Sequence, residues 1–191
     1  MPSWTYRPFC MEIFDMNLRL SGVAMLVLSI GLVACGTPNT SPLAPRATAH
    51  LGARSNTKVS GTVDFKQVGD AVEVEVFVHR LKAHQSHGFH IHETGDCNSL
   101  DGMSAGGHFN PTNMPHGAQD ADHHAGDMPA LLADSTGVAK VNFVLKNVSL
   151  TEGPNSILGR SVIVHRDPDD YKTQPTGNSG ARIACGVIER L

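Results

Sequence analysis

The chain has 191 residues and a net charge of -3, with 40% hydrophobic but only 5% aromatic residues, 19 glycines and 11 prolines. That length allows one domain behind a processed N-terminus. The charge offers no basic patch for nucleic acid, so no nucleic-acid partner is expected, and the composition suits a loop-rich β protein with an aliphatic core. Of the 11 histidines, nine fall between His79 and His124. Neutral imidazole is the commonest metal ligand near neutral pH, so this crowding points to metal.

In chain order, residues 1–15 have no evident role, and Met16-Asn17-Leu18-Arg19 begins a better export signal than Met1 does. Leu20–Val33 is apolar but too short to cross a bilayer, which fits the core of a signal peptide. It runs into Leu32-Val33-Ala34-Cys35-Gly36, which resembles a bacterial lipobox whose cysteine is lipidated and becomes the first mature residue. An ordinary cleaved signal peptide with a coincidental cysteine is the other reading. Residues 1–34 are thus expected to be an extension plus lipoprotein signal peptide. Residues 35–57, rich in Pro, Thr, Ala and Ser without periodicity, are expected to be a flexible tether. The folded domain is then 58–191, anchored to a membrane of the cell envelope through lipidated Cys35 and facing the periplasm or exterior.

From Lys58 the pattern has period two. Val59, Gly61, Val63 and Phe65 share one face, and Val72, Val74, Val76 and Val78 share one face of a second run with Glu73 and Glu75 opposite. Gln67–Asp70, with Gly69, suits the hairpin turn between them. Further strands fit Gly88–His92, Val138–Asn147, Arg160–His165 and Arg182–Ile188. No long helical period occurs, so the expected class is all-β. Two long intervals, Glu93–Asp134 and Arg166–Ala181, are full of Gly, Pro, Asp and Asn; structureless stretches of that length inside a domain are functional or disordered. Cys10 and Cys35 precede the domain, and in an exported protein the remaining pair, Cys97 and Cys185, is most simply a disulfide.

His90 and His92 lie two apart in a strand and point to one face, while Phe89 and Ile91 point to the other. Alone, this spacing also fits two surface histidines. His108, His116, His124 and Asp127 supply three nitrogens and an oxygen, a set zinc accepts; a His-rich loop binding metal loosely is the alternative. His165 ends a strand far away in sequence and joins a site only if the fold returns it. Arg182 follows the second long loop and, at the mouth of a metal site, would attract a small anion.

Three segments now carry a resemblance. His87-Gly88-Phe89-His90-Ile91-His92-Glu93 resembles the first copper motif of copper–zinc superoxide dismutases. Ser104-Ala105-Gly106-Gly107-His108-Phe109-Asn110-Pro111 resembles the segment with the shared ligand, and Gly177–Ile188 resembles the C-terminal signature. The likeness covers about Lys58 to Leu191. The spacing of Cys97 after His92, and Gly126-Asp127-Met128-Pro129, are similar to the bacterial branch.

The resemblance implies a Greek-key β-barrel or sandwich with two long functional loops, and disproportionation of superoxide to oxygen and hydrogen peroxide. Copper would be held by His90, His92, His108 and His165, and zinc by His108, His116, His124 and Asp127, one of each per chain, with His108 bridging and passing a proton. Of the adjacent pair His123 and His124, the family's His-x-x-Asp spacing selects His124. Asp169 would link a copper ligand to a zinc ligand, His87 would support a ligand rather than be one, and Cys97–Cys185 would be the disulfide. Arg182 would steer superoxide to copper, and Thr176 would narrow the channel. A homodimer is left open. The competing expectations are an envelope copper/zinc-binding protein without turnover, and a structural zinc-only sandwich that leaves His90, His92 and His165 without purpose. His79 and His84 have no assigned partner.

Overall fold

The computed structural model describes residues 43–191. Nine strands follow in order: β1 (Arg46–Ala53), β2 (Ser60–Val68), β3 (Ala71–His79), β4 (Ser86–His87), β5 (Phe89–His92), β6 (Leu131–Leu132), β7 (Ala139–Leu145), β8 (Ser161–His165) and β9 (Arg182–Arg190). Among the described residues the helical content is one 3-10 turn, Met103–Ala105. The fold is all-β, as expected.

Seven strands form one antiparallel sheet in the order β5-β8-β9-β1-β2-β3-β7, and β4 pairs with β6. β4 and β5 are two parts of one stretch, parted at Gly88: β4 pairs with β6 and β5 with β8. β6 in turn lies beside β7, the far edge strand. The sheet therefore curls back toward itself around one core.

Alternation explains the best-defined strands. In β3 the four valines are buried and Glu73 and Glu75 are exposed, so one pleat face meets the core. The β2–β3 hairpin closes through Gly69 and Asp70, with Val68 paired to Ala71 and Gly69 at φ 57, the left-handed geometry such tight turns need. β5 and β8 are buried throughout. On them the apolar side chains of Phe89, Ile91, Val162 and Val164 enter the core, which leaves His90 and His92 for the other face.

The tether expected over 35–57 requires correction. Residues 46–53 are β1, an interior strand between β2 and β9, so the folded unit starts near Arg46 rather than Lys58. β1 reads poorly because, apart from Arg46 and Leu51, it is built from alanines, a threonine, a histidine and a glycine. Ala47 and Ala49 are nonetheless fully buried, and small residues suit the tight approach here: a Cβ at Gly186 of β9 would lie 2.6 Å from the His50 carbonyl. Fit to neighbouring strands overrides intrinsic propensity. The expected signal peptide, Cys10, and the lipidation site Cys35 lie outside the described residues.

Cys97 and Cys185 form a disulfide across 88 positions, with their Cα atoms 5.7 Å apart. It fastens the first long loop to β9. Replacing both cysteines by serine is expected to lower the stability of the metal-free domain by about 2–5 kcal/mol, since a long loop then regains its freedom in the unfolded chain. Urea unfolding checks this; an unchanged midpoint would mean the cross-link constrains nothing.

Candidate metal centre

The centre is assembled on β5. Its residues pair with β8 on one side. On the other, His90 bridges Asp127 and His92 bridges His108. Three backbone hydrogen bonds close a ring: Ile91 N–H donates to Gly126 O, Gly126 N–H to Phe109 O, and Phe109 N–H to Ile91 O, each 2.8 Å. Glycine is required at 126, because a Cβ would lie 2.3 Å from the Ile91 carbonyl oxygen. Two distant parts of the first long loop are thereby held at fixed register against the His90–His92 strand.

One donor nitrogen from each of His90, His92, His108 and His165 lies within 4.8 Å of the others. The hydrogen bonds show which nitrogens these are. His90 Nε2–H donates to Asp169 Oδ2 at 2.6 Å, His92 Nδ1–H to Gly106 O at 2.9 Å and His165 Nδ1–H to Gly180 O at 3.2 Å. His90 Nδ1, His92 Nε2, His108 Nε2 and His165 Nε2 are buried without a hydrogen-bond partner among the described residues. Each proton is thus fixed on the outer nitrogen, and the lone pairs are turned toward one another. Buried polar atoms ordinarily find partners, and four converging imidazole lone pairs are what a copper ion accepts.

A second group surrounds Asp127. Its Oδ1 lies 2.9 Å from His108 Nδ1, 2.9 Å from His116 Nδ1 and 3.3 Å from His124 Nδ1. Its Oδ2 is taken by the backbone N–H groups of Gly117 and His124, which leaves Oδ1 for the imidazoles. Three nitrogens and one carboxylate oxygen suit tetrahedral zinc. His90 also lies within 4.8 Å of His108, His116 and Asp127. Its Nε2 is occupied by Asp169, however, and its free Nδ1 faces the first group. His108 is the residue with one nitrogen in each group.

Asp169 joins them. Its Oδ2 receives His90 Nε2–H and its Oδ1 receives His116 Nε2–H at 2.9 Å. Gly177 covers this carboxylate, and Tyr171 stacks parallel on His116 with its hydroxyl receiving the Ala130 N–H. The chain pattern gave no sign of Tyr171, or of the Arg160 guanidinium 3.6 Å over the Phe109 ring. His87 Nδ1–H donates to the backbone carbonyl of His165, a supporting position. His123 Nδ1 bonds the His124 carbonyl, His79 bonds Ser60, and His84 is exposed. None of these three enters either group. Arg182 pairs across the ladder with His165, and its guanidinium donates to Gly102 O and Gly106 O. Thr176 is half-buried in the second loop.

Burial sets the protonation states. It pushes His92 and His165 well below the ordinary histidine value, reinforced by neighbouring imidazoles, and lowers His108 to about 4. For His116 burial acts the same way, but the Asp127 and Asp169 carboxylates outweigh it and raise the ring to about 9. Burial alone would raise Asp127 and Asp169; the histidines bonded to them hold both well below the usual carboxylate range instead.

The copper/zinc superoxide dismutase family matches residues 59–188. A copper–zinc superoxide dismutase of Deinococcus radiodurans is 36% identical over 185 residues, covering 90% of this chain and 97% of the relative. One from Paramecium bursaria Chlorella virus 1 is 39% identical over 182 residues, covering 91% and 96%. A solved double mutant of an SOD-like protein from Bacillus subtilis superposes with a TM-score of 0.67 at 39% identity, covering 74% of this chain and 96% of that one.

The protonation states predict how the metal-free domain responds to pH. His108 is depressed from 6.5 to about 4, so the unfolded chain binds more protons in that window and stability rises with pH across it. His116 is raised to about 9, so its contribution is complete below 6.5 and is lost as pH climbs through about 9. Urea midpoints are expected to peak near pH 6.5 and fall on both sides. A monotonic rise to pH 9 would contradict the charged state of His116.

Proposed function

The chain belongs to the copper/zinc superoxide dismutase family, and we propose that His90, His92, His108 and His165 hold its copper while His108, His116, His124 and Asp127 hold its zinc. The reaction is disproportionation: two superoxide ions and two protons give one oxygen and one hydrogen peroxide. The observation that carries the assignment is the set of four buried, unpartnered nitrogens, His90 Nδ1 with Nε2 of His92, His108 and His165.

When bound, copper exchanges one electron with each superoxide ion, and zinc, which keeps its oxidation state, orders the loop. The remaining work belongs to the chain. Asp169 and the Gly106 and Gly180 carbonyls hold the ring protons of His90, His92 and His165 outward, so the inner nitrogens stay available. His108 has a nitrogen in each group, and its Nε2 is the atom that holds a proton and delivers it to the departing peroxide. Arg182, opposite His165, supplies local positive charge on a protein of net charge -3. Superoxide is an anion, so its encounter depends on that local field. A copper/zinc-binding protein without turnover is the second reading; both complete donor sets together with Arg182 favour the enzyme.

The N-terminal reading is an exported domain tethered at the membrane by lipidated Cys35. The Cys97–Cys185 disulfide supports an oxidising compartment. Among the described residues no helix is long and apolar enough to cross a membrane. A homodimer belongs to the same reading, with Leu100 and Met103 as exposed apolar side chains on the disulfide loop; sedimentation of the holo domain checks it.

Metal analysis of the mature domain is expected to give one copper and one zinc per chain, with superoxide turnover abolished by chelation; zinc alone without turnover would overturn the enzyme. Arg182→Glu is expected to lower kcat/KM by roughly tenfold or more with copper retained, because a guiding charge is reversed. Unchanged activity and salt dependence would remove Arg182 from the reaction. Cys35→Ser is expected to move the protein from the membrane fraction to the soluble one.

A further inference from the structure

The segment after β1, Arg54–Thr57, packs against the disulfide loop and the start of β9. Arg54 N–H donates to Ile183 O at 2.9 Å, and Ser55 N–H to Leu100 O at 2.7 Å. Ser55 Oγ–H donates to the carbonyl of Arg182 itself at 2.8 Å, and Thr57 Oγ1–H to that of Ile183 at 2.8 Å. The Arg54 guanidinium donates through Nη2 to the carbonyl of Cys97.

Arg182 grips the same loop farther along. Its Nη1 donates to Gly102 O at 2.8 Å and its Nη2 to Gly106 O at 2.7 Å. Gly106 O is also the acceptor for His92 Nδ1–H. The two arginine stems meet at Gly102, where a Cβ would lie 3.1 Å from Arg182 Cβ and 3.8 Å from Arg54 Cγ. Ser55 and Asn56 sit at φ 51 and φ 58. Non-glycine residues hold that left-handed geometry when surrounding contacts fix them there.

We propose that Arg54 and Ser55 are positioning residues for Arg182. Arg54 and the Ser55 N–H hold the disulfide loop at Cys97 and Leu100. That loop presents the Gly102 and Gly106 carbonyls that orient the Arg182 guanidinium, while Ser55 Oγ anchors the backbone of Arg182 from the other side. Without this support the guanidinium loses its fixed direction, and the positive field it presents to an approaching anion is averaged over several orientations. The inference rests on the steering role of Arg182 proposed above.

The test compares copper- and zinc-loaded Arg54→Gln, Ser55→Ala, Arg54→Lys, Arg182→Gln and the double variant Arg54→Gln/Arg182→Gln. Metal content, the Cu(II) EPR spectrum, and kcat/KM per bound copper against ionic strength are read for each. Arg54→Gln and Ser55→Ala are expected to keep metals and spectrum, lose roughly three- to tenfold in kcat/KM, and show weaker salt dependence. Arg54→Lys, which keeps a charged donor for the Cys97 carbonyl, restores most of the rate. The double variant falls no further than Arg182→Gln, because both changes remove one function. Full rate and unchanged salt dependence in Arg54→Gln and Ser55→Ala, beside a loss in Arg182→Gln, would overturn the inference. So would an additive loss in the double variant, which would mean Arg54 acts by its own charge. Undiminished rate in Arg182→Gln would instead overturn the underlying role of Arg182.

Discussion

Polar atoms buried in a protein need partners, and the architecture around β5 turns on that constraint. Each imidazole of the first group has one nitrogen satisfied by a carbonyl or carboxylate, which fixes the proton there and leaves the other nitrogen bare. Bare buried nitrogens are costly without a partner. Their placement therefore makes sense as a site prepared for cations, and the depressed proton affinities of His92, His108 and His165 are the electrostatic face of that preparation. A ring that refuses a proton at neutral pH is free to accept a metal.

The first long loop sets Phe109, Ala125 and Met128 into the core, and most of its other side chains are polar. It is ordered by what it touches: the Ile91–Gly126–Phe109 backbone ring, the Asp127 carboxylate, and the disulfide to β9. The backbone ring attaches to β5 and the disulfide to the buried middle of β9, while the Asp127 carboxylate ties the loop to itself. Rigid strands thus carry the geometry, and the loops carry donors to it. His165 reaches the site through the same logic, since β8 pairs with β5 and brings the ring of its last residue beside His90 and His92.

Much of this was legible in the chain. The valine alternation of β3 follows from period two alone, because a strand with one wet face must alternate, and the same period puts His90 and His92 on one face of β5. The gathering of His108, His116, His124 and Asp127 was visible as a donor set, and the family motifs gave it an order. β1 was not legible. Its alanines and glycine carry no strand signature, and what makes it a strand is the space left between β2 and β9. Arg54 and Ser55 were missed for the same reason, since residues placed in a tether have no reason to touch a site. Tyr171 stacked on His116 was equally silent, because a lone aromatic in a polar loop has no periodicity to betray it.

Gly177 has an effect on sequence change across the second loop. Its φ is +64, and a Cβ there would fall 1.8 Å from Asp169 Oδ1 and 2.5 Å from His116 Nε2. Lys172, a few positions earlier, is exposed, and its side chain makes no hydrogen bond among the described residues. Tolerance along this loop is therefore uneven, open at its tip and shut at one backbone atom. A methyl group at that atom would disturb both donor groups at once, since the carboxylate it would strike holds His90 of one and His116 of the other.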